Sequence, residues 1–139
     1  MRRASISWLL AAALALMPVA GAWAQTSIAC EYMLMRVYHA ELDICRVPLA
    51  MDKEARYQRL RTSMEQFIRT HAKNDPEKIL AGIETDNIKR ALAGLKSCKS
   101  DDFKFAVQAM DQITTPANEK MVQGTLGLPR DPMSGDCSS

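Results

Sequence analysis

The residue types able to do chemistry are few in this chain. There are two histidines, His39 and His71, and four cysteines, Cys30, Cys45, Cys98 and Cys137. His39 precedes Asp43 by one helical turn, a spacing that sets an imidazole and a carboxylate side by side on one face. One histidine and one carboxylate are too few ligands to hold a metal selectively, so the pair is expected as a surface pair. His71 follows Phe67 and Ile68 near a helix end, where a half-buried imidazole interacts with the helix terminus. No serine lies in a Gly-x-Ser-x-Gly or a supported Ser-x-x-Lys arrangement, and no base is evidently paired with a nucleophile. Methionine thioethers bind Cu(I), but no Met-x-x-Met array is present. Met33, Met64 and Met110 fall instead in apolar stripes, where they suit core packing or an adaptable contact surface. The expectation is a protein without catalytic residues, metal or cofactor.

The cysteines set a frame. An even number in a small exported chain reads as two disulfides, and no Cys-x-x-Cys spacing supports zinc or a redox dithiol. The segment between Cys30 and Cys45 reads as one helix. Fifteen residues at ~1.5 Å each hold those two Cα atoms about 22 Å apart, against the roughly 4.4–6.8 Å a disulfide spans. Two connectivities remain: Cys30–Cys98 with Cys45–Cys137, or Cys45–Cys98 with Cys30–Cys137. In both, Cys98 staples a later helix to the first and Cys137 ties down the tail.

Export is read from the N-terminus. Met1-Arg2-Arg3 is a cationic start, Ile6 to Ala20 an apolar run shorter than a spanning helix, and Ala22-Trp23-Ala24 a small-residue cleavage site. Residues 1–24 are expected to be a cleaved signal peptide that leaves no stable membrane anchor, and the compartment to be a bacterial periplasm, or the exterior if the protein is secreted. Of the 18 Lys+Arg, Arg2 and Arg3 leave with the leader, so 16 face 16 Asp+Glu in a neutral mature chain. That balance gives no ground for a nucleic-acid partner.

The elements that position these residues are helical throughout. Cys30, Met33, Leu34, Val37, Ala40, Ile44 and Cys45 recur at spacings of three and four, with Arg36, His39, Asp43 and Arg46 opposite and Glu41 out of place. Pro48 ends this helix or opens the next. Asp52 is expected to cap a second helix with the stripe Tyr57, Leu60, Met64, Phe67 and Ile68. Its Lys53, Arg56, Arg59, Arg61 and Arg69 are expected on a solvated face. Asp75-Pro76-Glu77 starts a third helical stretch reaching Cys98, with a break and restart near Thr85-Asp86. Ser100 opens a fourth with Phe103, Ala106, Val107, Met110 and Ile113. Thr115-Pro116 opens a short fifth piece to about Val122. The remainder is rich in Gly, Pro and Ser.

The predicted fold is therefore all-α: a small disulfide-stapled bundle of four to five helices. Its helical domain covers residues 25–122, and residues 123–139 form an irregular tail tethered by a disulfide. Over residues 30–98, the order of Cys30, Cys45-Arg46-Val47-Pro48, Ala91-Leu92 and Cys98 resembles the small periplasmic immunity proteins that neutralise cell-wall amidases delivered by type VI secretion. Glu31-Tyr32 stands where that family has a glycine-tyrosine pattern. The resemblance implies a helical protein that plugs an enzyme's cleft. Ala29-Cys30-Glu31-Tyr32-Met33-Leu34 also resembles the acid-stress chaperones of enteric periplasms, which implies client binding at low pH. The expected activity is non-catalytic binding of another protein, as an inhibitor or immunity protein, with a stress chaperone or adaptor as the alternative. Tyr32, Arg36 and His39 are the expected surface contacts.

Overall fold

The computed structural model describes residues 26–137, and the expected signal peptide lies outside them. Five helices account for most of this span. Helix α1 is Ile28–Ile44 and α2 is Met51–His71. Helix α3 runs through Pro76–Gly82, a π-helical turn at Ile83–Asn87, and Ile88–Gly94. Helix α4 is Asp101–Ile113 and α5 is Pro116–Leu126. The all-α bundle read from the sequence is the observed fold.

Most helix starts follow the local chemistry. The Ser27, Asp75, Ser100 and Thr115 side chains accept hydrogen bonds from first-turn N–H groups, and Pro76 and Pro116 supply preset backbone angles. The exception is α2, which begins at Ala50 with no side-chain cap. Asp52, expected as that cap, sits within the first turn and pairs with Arg56 instead.

Helix α1 lies at the centre, packed against α2, α3 and α4, while α2 also packs on α5. This placement corrects the two-faced reading of α1. On its polar side Arg36 and His39 face α2 and the π-turn while Asp43 and Arg46 stay exposed, and its deeply buried residues are Ile28, Ala29, Cys30, Tyr32, Met35, Glu41 and Leu42. A helix enclosed from several directions loses the one-sided burial on which periodicity arguments rest. Around it gather Tyr57, Leu60, Phe67 and Ile68 of α2 with Phe103, Ala106 and Met110 of α4. Each large apolar side chain so buried contributes about 1.5–3 kcal/mol.

The disulfides are Cys30–Cys137 and Cys45–Cys98, with Cα atoms 5.4 and 5.6 Å apart, one of the two connectivities left open by the sequence. Cys98 is not at a helix end, since α3 stops at Gly94 and Cys98 lies in the loop before α4. The tail also differs from expectation. Helix α5 continues to Leu126, and the chain then folds back over the start of α1. There Pro132 is buried and its carbonyl accepts from Ala29 N–H at 3.0 Å and Ser27 Oγ–H at 2.8 Å. Thr26 and Asp136 form an isolated parallel bridge.

Candidate functional site

The side chains with chemical potential converge between α1, α2 and the π-turn of α3. Arg36 projects from α1 and clamps Glu84 with two bonds, Nε to Oε1 at 2.6 Å and Nη2 to Oε2 at 2.7 Å. Its third guanidinium nitrogen, Nη1, donates to the Tyr57 hydroxyl. One turn earlier, the Tyr32 hydroxyl lies 2.8 Å from Glu65 Oε1 and 3.1 Å from Glu84 Oε1. A phenol has one hydrogen, so it serves one of these two carboxylates at a time. Arg61 donates to Glu65 at 2.8 Å, which leaves two guanidinium and two carboxylate charges in balance.

The π-turn is what brings Glu84 here. A single wide turn adds a residue to the helical register, and such insertions re-aim one side chain without ending the helix. The expected break near Thr85-Asp86 is therefore a continuous, widened helix, in which Thr85 Oγ1 bonds back to the Ala81 carbonyl at 2.7 Å.

The electrostatics follow the contacts. The Arg36 hydrogen bonds hold the Glu84 carboxyl below its ordinary range. Burial pushes Glu65 upward, but its bonds from Arg61 and Tyr32 leave it lowered on balance. Burial, reinforced by Glu65, raises the Tyr32 phenol well above its usual range. Each of these shifts favours the charge state its group holds at neutral pH.

His39 belongs to the same layer. Its ring stacks on Tyr57 with centroids 3.8 Å apart, and its two nitrogens face Glu54 at 3.0 Å and Asp43 at 3.2 Å. The His39–Asp43 pair expected from spacing is present, but the imidazole is only 12% exposed because α2 covers it. The surface placement expected for the three contact residues is corrected accordingly. Tyr32 is 1% exposed and the Arg36 side chain 13%, because α1 turns this side toward α2 and α3. His71 is half-buried beside Phe67 at the end of α2.

No family model, curated protein or solved structure matches this chain. Among the described residues, no group of three or more His, Cys, Asp or Glu is placed to hold a metal ion. Sequence reasoning missed Glu84, Glu65 and the inward role of Arg61, although a signal was present. Tyr57, Arg61 and Glu65 recur every four residues on α2, opposite Tyr32 and Arg36 at the same spacing on α1. The rest of the basic series on α2 is engaged as well: Lys53 with Asp111, Arg56 with Asp52, Arg59 with Glu119, and Arg69 with Glu77.

A second feature is an apolar cavity of about 480 Å³ on the other side of α1, among α1, α2, α4 and α5. Leu34, Met64, Met121 and Ile113 form its walls, and Phe105, 59% exposed, stands at its edge against Tyr38 with ring centroids 5.9 Å apart. Glu31 is its acidic member. Burial raises this carboxyl above the usual range, against the opposing charge of Arg130.

Proposed function

We propose that this is an exported, non-catalytic protein that acts in the bacterial periplasm by binding another protein and inhibiting it. One observation carries the reading: a doubly cross-linked frame pairs the charged groups between α1, α2 and the π-turn with one another yet leaves large apolar side chains in water. Ile44, Met51 and Phe105 are 57%, 90% and 59% exposed. Exposed apolar surface of this kind marks contact sites, and a pre-ordered frame lowers the entropy cost of forming them. The disulfides fit an oxidising compartment, and among the described residues no helix is long and apolar enough to cross a membrane.

The test is capture of partners by the oxidised chain 25–139 from the periplasm of its own host, followed by titration of the retained protein. One partner bound one to one, with its enzymatic activity suppressed, is the expected result. Retention of nothing, or of a partner whose activity is unchanged, sinks the inhibitory reading.

The cavity supports a second reading, a chaperone active in acid. Its methionine-rich wall adapts to varied apolar segments, and its one carboxyl, Glu31, becomes neutral more readily than an ordinary glutamate. Protection of many unfolded clients from aggregation at pH 3, lost on Glu31→Lys, distinguishes this role from the first.

A further inference from the structure

The apolar cavity of about 480 Å³ among α1, α2, α4 and α5 has a cause in the packing. Helix α4 rests on α1 and α5 rests on α2, with little contact between α4 and α5 themselves. The turn that joins them is fixed. Thr114 is fully buried, its Oγ1–H donates to the Met110 carbonyl at 2.6 Å, and its own carbonyl accepts from Arg56 Nε–H at 2.6 Å. The seam between the two helices is thereby held open. Protein interiors are otherwise close-packed, and water settles in such a space only where several polar groups hold it.

The lining has a direction. Along α1 it consists of Glu31, Leu34 and Tyr38, so a carboxylate and a phenol ring stand about 10 Å apart along one helix. Phe105 joins Tyr38 at the aromatic end. Ala109 of α4 and Ala117 of α5 present only methyl groups to the space between them. Glu31 is the one charged side chain in this lining. Arg130 acts on its carboxylate through charge and without a hydrogen bond, while donating Nη2–H to the Thr26 carbonyl at 2.7 Å.

We infer that this cavity is a ligand site for a small amphiphilic amine, with its ammonium head at Glu31 and its apolar body running along α1 toward Tyr38 and Phe105. The inference goes beyond the protein-binding reading and does not depend on it. The volume lies within the roughly 300–1,000 Å³ typical of small-molecule sites, and an apolar wall with a single charged group is their usual composition. An apolar body entering here strips water from Glu31. A neutral head then leaves the carboxylate desolvated and unpaired, an anionic head adds repulsion, and a cationic donor compensates it. The raised position of the Glu31 carboxyl is the same shortage of partners acting on the protein alone. Met64 and Met121 let the wall fit chains of different shape.

The test titrates the oxidised chain 25–139 by calorimetry with decylamine, decanol and decanoate, which differ chiefly in the head group. Decylamine is expected to bind one to one and to raise the midpoint of thermal unfolding, with decanol roughly tenfold weaker and decanoate weaker still. Glu31→Gln is expected to bring decylamine down to the affinity of decanol and to leave decanol unchanged. Ala109→Trp fills the space from α4 and is expected to abolish binding of all three. Ala117→Phe fills it from an exposed position on α5, and replaces the first substitution should that one lower the thermal midpoint.

Equal affinities for amine and alcohol, or an amine affinity untouched by Glu31→Gln, overturn the assignment of the head group. Uptake of many molecules per chain, unaffected by the filling variants, is surface adsorption and overturns the site. If decylamine does not bind but unfolded polypeptide does, and Ala109→Trp releases it, the occupant is a client segment and the small-molecule assignment falls. Capture of a protein partner is read separately, so that reading and this one can fail independently.

Discussion

Arg36 anchors the charged layer between the helices, a guanidinium that is 13% exposed facing a carboxylate that is 33% exposed. Removing one member of a shielded pair leaves the other desolvated and unpaired. Arg36→Met is therefore expected to lower unfolding free energy by about 3 kcal/mol, and Arg36→Met with Glu84→Leu by less, measured as a double-mutant cycle in urea. The same groups set the pH response. Glu84 and Glu65 are held below their ordinary values, so their stabilisation is complete above the unfolded-chain value of about 4.3 and is lost as pH falls through the lower folded values. Glu31 and Glu41 are raised by burial, so theirs runs the other way, full in acid and lost as pH rises through their folded values. Thermal midpoints between pH 7 and pH 2 should fall below about pH 4.5, with a shallower fall in Glu84→Gln. An unchanged acid slope in that variant would remove Glu84 from the account.

At the scale of elements, the informative one is α3. Its π-turn carries one residue more than a regular helix would, and the extra residue lets Glu84 meet Arg36 while Ile88 remains buried. Deleting Thr85 makes the helix locally more regular, yet it rotates one flank by about 100° relative to the other. Either Glu84 leaves Arg36 or Ile88 leaves the core. The deletion is expected to cost about 2–4 kcal/mol, read from thermal melts followed by circular dichroism. A deletion variant as stable as the parent would show that the turn does no positioning. Ser27 is the corresponding point at the start of α1, where one hydroxyl caps the helix and donates to the Pro132 carbonyl of the tail. Ser27→Ala should cost about 1–2 kcal/mol and speed proteolysis of residues 127–137.

For the whole molecule, the two bridges close loops of very different length, 107 and 53 residues of separation. Restriction of the unfolded chain alone assigns about 5 kcal/mol to the longer and about 4 kcal/mol to the shorter. Replacing Cys30 and Cys137 by serine is thus expected to lower thermal stability somewhat more than replacing Cys45 and Cys98, and reductant should remove the difference.

How far the chain was legible follows from the range of each interaction. Caps, prolines and spacings of three and four act within one or two turns, so the starts at Asp75, Ser100 and Thr115 and the apolar stripes of α2 and α4 could be read directly. The same local rules excluded a Cys30–Cys45 bridge, since a helix is too long to fold back on itself. They failed where the deciding contact lies far along the chain. The partners of Arg36 are 48 and 21 residues away, and no local pattern announces that α1 is enclosed on several sides. The choice between two disulfide pairings, the inward turn of Tyr32 and His39, and the return of the tail onto Ser27 were likewise settled by packing. Sequence by itself determined which segments are helices and where most of them begin, because those free energies are local. Only tertiary structure decided which face of each helix is inside, because burial is a property of what surrounds a residue rather than of the residue.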